Sequence, residues 1–191
     1  MHMVIVLGSP RRNGNSEMLA KAVAEGMESE GGTVEYLRLN DLDIRPCQGC
    51  GGCDKSGECV VKDDMTEIYG KVDNADRLLL VTPIYFYAMS AQAKIFTDRM
   101  QARWSRRYNL KNRFRQGEGR RGYVLATAAT GGGKLFESTE LCARYLFDAI
   151  DMECGESLLV NGVDDRKAVR EKLDELTRAR SFGEKISRGE L

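Results

Sequence analysis

The residues V-I-V-L-G-S-P-R-R-N-G-N-S, from Val4 to Ser16, constrain the fold more than any other stretch. Val4, Ile5, Val6 and Leu7 form a short continuous apolar run, the pattern of a strand buried on both faces. At Gly8 the run breaks into a polar loop, and a helical pattern starts near Asn15 with Leu19, Val23 and Met27 on one face. A strand opening through a polar loop into a helix is the geometry that holds a phosphate, because loop amides face outward and the helix N-terminus favours negative charge. Ser9, Asn15 and Ser16 add donors, and Arg11 or Arg12 adds charge. A triphosphate loop has four residues between its glycines and then Gly-Lys-Ser/Thr. Here five residues separate Gly8 from Gly14, and Asn15 stands where the lysine would be. The dinucleotide fingerprint G-x-G-x-x-G is also absent. The loop therefore suits a phosphate monoester that is held rather than transferred; the plainer reading is an ordinary turn with good helix caps.

The rest of the chain continues the alternation. Val34–Leu39 reads as a strand, and Asp63-Asp64 caps a short helix carrying Met65, Ile68, Tyr69 and Val72. Leu78–Val81 is another buried strand, broken by Thr82-Pro83, which opens the loop Ile84–Ser90. Ala91–Arg103 reads as helix, Tyr123–Ala126 as strand, Leu135–Met152 as a long helix and Cys154–Val160 as the last strand. Asp164 or Asp165 caps a final helix with Val169, Leu173 and Leu176 on one face. Alternating strands and helices mean a parallel sheet covered on both sides. The expectation is an α/β, flavodoxin-like doubly wound sheet of five strands in the order 2-1-3-4-5. Its ligands sit at the carboxyl ends of the strands, where the winding reverses. The loops Ser9–Ser16, Pro83–Ser90 and Thr127–Gly133 would converge there.

With 191 residues and 42% hydrophobic content, the chain suits one domain over residues 1–191. Zero net charge argues against a general nucleic-acid or membrane-surface binder. No apolar run approaches a membrane span, and the chain enters a strand at once without a signal-peptide pattern, so a cytoplasmic protein is expected. The only histidine is His2, and no Ser/His/Asp set is available, which removes most hydrolase readings.

Pro83-Ile84-Tyr85-Phe86-Tyr87 places bulky residues straight after a buried strand. Such a segment suits a flat apolar wall with backbone groups at its edge, as a flavin ring needs, or else core packing or a subunit interface. Thr130-Gly131-Gly132-Gly133 would let backbone approach the ring. Gly8–Ser16, Pro83–Phe86 (P-I-Y-F) and Ser90–Arg99 (S-A-Q-A-K-I-F-T-D-R) resemble the flavodoxin-like NAD(P)H-dependent FMN reductase family, and the cysteine run between them resembles its iron–sulfur flavoprotein branch. The resemblance implies that Ser9, Arg11, Asn13, Asn15 and Ser16 hold the FMN phosphate. It also implies that Pro83, Ile84, Tyr85 and Phe86 line the ring, with Thr130 and Gly131 on the third loop.

Cys47, Cys50, Cys53 and Cys59 have the compact spacing of an iron–sulfur ligand set, with Gly49, Gly51 and Gly52 letting the backbone wrap closely. Four-cysteine zinc, a thiol–disulfide pair such as Cys47–Cys50, and a loop that binds nothing stay open beside it. The resemblance implies a four-iron, four-sulfur (4Fe-4S) cluster. Cys142 and Cys154 read as buried structural residues. Residues 103–121 hold Arg103, Arg106, Arg107, Lys111, Arg113, Arg115, Arg120 and Arg121 against Glu118 alone. This basic insertion is either solvated or a docking site for an acidic partner such as ferredoxin or for the ribose phosphate of NADPH.

The expected function is an FMN-dependent oxidoreductase passing electrons from NAD(P)H or a ferredoxin-type donor to a small acceptor, as a homodimer or homotetramer. The rival is a non-enzymatic electron carrier or a cysteine-based redox sensor.

Overall fold

The computed structural model describes residues 1–191. Its strands are β1 (His2–Leu7), β2 (Thr33–Arg38), β3 (Arg77–Tyr85), the two-residue β4 (Ala88–Met89), β5 (Arg121–Thr127) and β6 (Glu153–Val160). The long strands are parallel in the order β2-β1-β3-β5-β6, while β4 pairs antiparallel with the end of β3. This is the doubly wound, flavodoxin-like sheet that the alternation predicts. The hairpin strand β4 changes only the numbering of the path.

Successive side chains of each strand face opposite sides of the sheet, so every central strand feeds two cores. Val4, Val6, Leu78, Leu80, Val124 and Ala126 face one core. It is completed by α2 (Met65–Asn74), α3 (Ala91–Arg99) and α5 (Glu137–Ala149) through Ile68, Val72, Phe96 and Phe147. Ile5, Leu7, Leu79, Val81, Tyr123 and Leu125 face the other. There α1 (Asn15–Ser29) and α6 (Leu173–Arg188) contribute Leu19, Val23, Met27, Phe182 and Ile186. The two helices cross at backbone contact. A Cβ on Gly26 would lie 2.0 Å from the Arg180 carbonyl oxygen, and one on Gly183 would lie 1.9 Å from that of Val23.

Several boundaries differ from the expectations. Thr82-Pro83 does not break β3; Pro83 stands opposite Thr127 at the end of the β3–β5 ladder, and the strand runs on to Tyr85. The chain then reverses through Phe86 and Tyr87, at φ 49° and 60°, into β4. Two consecutive residues with positive φ are what a two-residue type I′ hairpin needs, a place normally given to Asn and Gly. Holding aromatic residues there costs about 1–3 kcal/mol each. The helix expected over Ala91–Arg103 divides at Met100 into α3 and α4 (Gln101–Tyr108). At the last helix, Val169 is buried in a short 3-10 turn, whereas Leu173 is exposed at the start of α6. Cys154 is exposed and Cys142 half-buried, against the expectation that both are buried.

The basic segment 103–121 is not a free cationic surface. Arg103 and Arg106 both bind the Asp73 carboxylate on α2. Arg107 and Arg113 bind Asp151, and Arg115 binds Asp76 and Glu118. Arg120 is 2% exposed and donates to the carbonyls of Val72, Ala75 and Ile150, at the ends of α2 and α5. Burial, reinforced by the charge of Arg115, lowers its pKa to about 10. One guanidinium thus satisfies carbonyls that the two helix ends leave free.

Candidate functional site

A cavity of about 240 Å³ opens at the carboxyl edge of the sheet. The Gly8 amide donates to the Val81 carbonyl at 2.8 Å, keeping the first loop against β3 as it leaves β1. A Cβ on Gly8 would stand 2.8 Å from that of Ala93, so the close approach to α3 needs glycine. Ser90, fully buried, joins these parts: its Oγ donates to the Gly8 carbonyl at 2.6 Å and accepts from the Ala93 amide at the start of α3. No side chain caps the N-terminus of α1, and the amides of its first turn have no protein acceptor. Ser9 and Ser16 line the cavity beneath this open helix end, with Arg11 and Arg166 adding positive charge and Asp164 negative charge.

The opposite wall comes from Pro83, Ile84 and Tyr85, and the third side from Thr127, Ala128 and Ala129. The sequence-predicted residues therefore divide. Ser9, Arg11, Asn15, Ser16, Pro83, Ile84 and Tyr85 share one cavity. Asn13, Phe86, Thr130 and Gly131 do not line it. The Asn13 side chain accepts from Lys21 instead, and Phe86 stands fully in solvent at the hairpin tip. The third loop reaches the cavity one to three residues earlier than expected, because β5 ends on its rim.

Asn15 has a different use from the one expected. Its Nδ2 donates to the carbonyls of Val163 and Asp165 and its Oδ1 accepts from the Val169 amide. It fastens the segment after β6 onto α1, which brings Val163, Asp164 and Arg166 to the cavity wall. That fourth segment was missed in the sequence. The one available signal was its position after the last strand, on the same edge of the sheet. Below it, Glu17 is 3% exposed. Burial disfavours its charge, but hydrogen bonds from Arg38, the Asn13 amide and Lys21 outweigh this and hold its pKa below the ordinary glutamate value.

A second cavity of about 170 Å³ is lined by Cys47, Cys50, Cys53 and Cys59, with Arg99 and Gln101 closing it. No three Cys, His, Asp or Glu side chains stand close enough together to ligate one metal ion, so the loop presents thiols around a cavity rather than an assembled cage. Gly49, Gly51 and Gly57 have positive φ and let the loop turn around the space. Arg99 is 1% exposed. It pairs with the buried Asp63 at 2.5 Å, donates to the Arg45 carbonyl at 2.8 Å, and stands 3.5 Å from Cys59 Sγ. Its Nε is buried with no partner. A buried guanidinium in contact with Cys59, in a cavity lined by four thiols, suits an anionic occupant held by thiolates.

The start of the basic segment packs against the loop that forms this cavity. Ser105 Oγ donates to Asp54, and Arg103 donates to the Gly57 carbonyl and Glu58 while stacking 4.4 Å over the Tyr69 ring. The two unusual stretches of the sequence are each other's packing partners.

A doubly wound sheet with a polar loop, an apolar ledge and a third loop meeting at its carboxyl edge defines the flavodoxin-like class of fold, whose ligands sit at the strand ends. Residues 1–162 match the family described as NADPH-dependent FMN reductase, and the chain belongs to that family. An iron–sulfur flavoprotein of Archaeoglobus fulgidus is 38% identical over 114 residues, 60% of this chain and 51% of that protein. Another from the same organism is 30% identical over 160 residues, 83% of this chain and 78% of its own. The chain spans about half the length of the first curated relatives it matches. Among solved structures, the NAD(P)H:quinone oxidoreductase from Methanothermobacter marburgensis superposes with a TM-score of 0.72 at 20% identity, covering 97% of this chain and 96% of that one. No helix is long and apolar enough to cross a membrane.

Proposed function

We propose that residues 1–191 act as one FMN-dependent oxidoreductase domain, taking electrons from a nicotinamide or ferredoxin-type donor and delivering them to a small acceptor. The carrying observation is that the uncapped N-terminus of α1, Ser9 and Ser16 share one cavity with the Pro83–Tyr85 ledge. Ser9, Ser16 and the first-turn amides of α1 would hold the phosphate, with Arg11 and Arg166 neutralising it. Pro83, Ile84 and Tyr85 would back the ring, and Ala128 and Ala129 would admit its far side while excluding water. When bound, FMN supplies the hydride and electron chemistry. The chain positions it and needs no side-chain acid or base; the only histidine, His2, begins β1 at the opposite edge of the sheet.

Cys47, Cys50, Cys53 and Cys59 would hold an iron–sulfur cluster, which supplies one-electron exchange when present. The names of the relatives favour this over zinc. The test is direct. Protein prepared anaerobically should quench added FMN fluorescence at one site per chain, oxidise NADPH or NADH with a small acceptor, and contain iron and sulfide. Failure to take up FMN overturns the reading. FMN uptake and reduction by ferredoxin without NAD(P)H turnover leaves an electron carrier in its place. FMN uptake without iron removes the cluster alone.

A further inference from the structure

Of the four sulfurs around the second cavity, Cys59 alone takes a hydrogen bond from a side chain, that of Arg99. Arg99 ends α3, where a cation suits the negative end of the helix. It is the one cation among the residues lining the cavity; the other charged lining residue, Asp54, is taken up by Ser105 and Asn109. The guanidinium is held on several sides. Its Nη1 donates to Asp63 Oδ2 at 2.5 Å and to the Arg45 carbonyl, and its Nη2 to Asp63 Oδ1 at 3.0 Å and to the Val61 carbonyl. The Arg99 carbonyl accepts from Tyr69 Oη at 2.6 Å, so the end of α3 is fixed together with the side chain. Asp63 is fully buried but lines no part of the cavity, and it also accepts from the amides of Arg45 and Met65. The ion pair is therefore a fixed dipole, with its positive end on Cys59 and its negative end withdrawn from the thiols.

Resting on the iron–sulfur reading above, we propose that this oriented Arg99–Asp63 pair sets the reduction potential of the cluster held by the four cysteines, raising it so that a one-electron donor of the ferredoxin class can reduce it. Four thiolates make such a group anionic. Its reduction adds one electron, taken from that donor, with no bond made or broken and no proton moved. A cation fixed beside a ligating sulfur, and 1% exposed, stabilises the added charge with little screening by water. The hydrogen bond to Cys59 Sγ acts in the same direction.

The test uses the full chain prepared anaerobically with FMN and iron, poised at fixed potentials with dithionite and mediators. The reduced cluster is read by electron paramagnetic resonance and the FMN of the same sample by absorbance. The double variant Arg99→Met/Asp63→Asn removes both charges, so net charge is unchanged and no buried charge is left unpaired. At the wild-type midpoint it should lower the ratio of reduced to oxidised cluster at least about tenfold, about 59 mV for one electron. The corresponding FMN ratio should stay within about twofold, because Arg99 and Asp63 line no wall of the edge cavity. Asp63→Asn alone leaves the cation without its counter-charge and should hold the cluster ratio at or above that of wild type, opposite to the double variant. If Asp63→Asn does not fold, the double variant decides alone. An unmoved cluster ratio in the double variant overturns the assignment, as does an equal shift of cluster and FMN. So does a fall in Asp63→Asn as large as in the double variant, which would trace the shift to a disordered loop. Loss of iron from the double variant overturns it as well, since the pair would then be needed to assemble the site rather than to set its potential. Each of these leaves the iron–sulfur reading standing. Wild type without iron brings down that reading and the assignment with it.

Discussion

The two cavities are built in opposite ways. The edge cavity takes its walls from the ends of β1, β3, β5 and β6, so the backbone ladders of the sheet set its shape. The cysteine cavity is formed by a long loop between β2 and α2, in which no helix or strand longer than one 3-10 turn occurs. Its shape is imposed from below by Arg99, Arg103 and Ser105 on α3 and α4. A site on strand ends is positioned by the fold. A site on a loop must be pinned by side chains, and its integrity depends on individual residues.

The sharpest way to break this contrast is Arg99→Met. Removing the guanidinium leaves Asp63 buried and unpaired, which should cost about 3–5 kcal/mol in urea unfolding. FMN affinity at the edge cavity should change by less than about twofold, because no wall of it depends on Arg99. A loss of FMN affinity comparable to the loss of stability would show the sites to be one unit. Ser16→Ala should do the reverse. Losing one hydrogen bond to a charged phosphate, about 1.5–3 kcal/mol, should raise the FMN dissociation constant about tenfold to a hundredfold in a fluorescence titration, with unfolding of the ligand-free protein nearly unchanged.

Acid should separate the regions less strongly. Burial disfavours charged Asp63, but hydrogen bonds from Arg99 and from the amides of Arg45 and Met65, with the Arg99 charge, lower its pKa below the ordinary aspartate value. The unfolded chain then binds more protons than the folded one across that interval. The stabilisation is complete above the unfolded pKa, near pH 4, and is lost as pH falls through the lower folded value. Trp104, the only tryptophan and five residues beyond Arg99 on α4, should report this as a fluorescence change on acidification that shrinks in Asp63→Asn. A transition of the same size in the variant would mean that another carboxylate governs it. The smallest effect belongs to Arg113→Ala, whose ion pair is over a third exposed on the arginine side: less than about 1 kcal/mol, with turnover unaltered. A marked loss of reduction by ferredoxin would restore a docking role to the segment.

The same contrast explains what was legible beforehand. The strand-edge residues Ser9, Ser16, Pro83, Ile84 and Tyr85 announce themselves because a buried strand and the loop that follows it are local patterns. Asn15 shows the limit. Its residue type reads as a phosphate donor, yet its amide is consumed by the carbonyls of Val163 and Asp165, contacts about 150 positions away. The arginines of 103–121 look like a surface charge run because their partners Asp73, Asp76, Asp148 and Asp151 lie on other elements. The hairpin at Phe86–Tyr87 breaks the local rule that positive φ goes to glycine or asparagine, so no turn signal marked it.

Arg120 fastens two helix ends to the start of β5 at the sheet's far edge. The chain therefore has a foundation whose bonds share no atom with the loops at the other rim. Such separation gives evolutionary latitude: the rim can be rewritten, residue by residue, for new redox partners while the base keeps the helices packed on the two faces of the sheet, so change in what the protein reacts with need not be bought with loss of the fold.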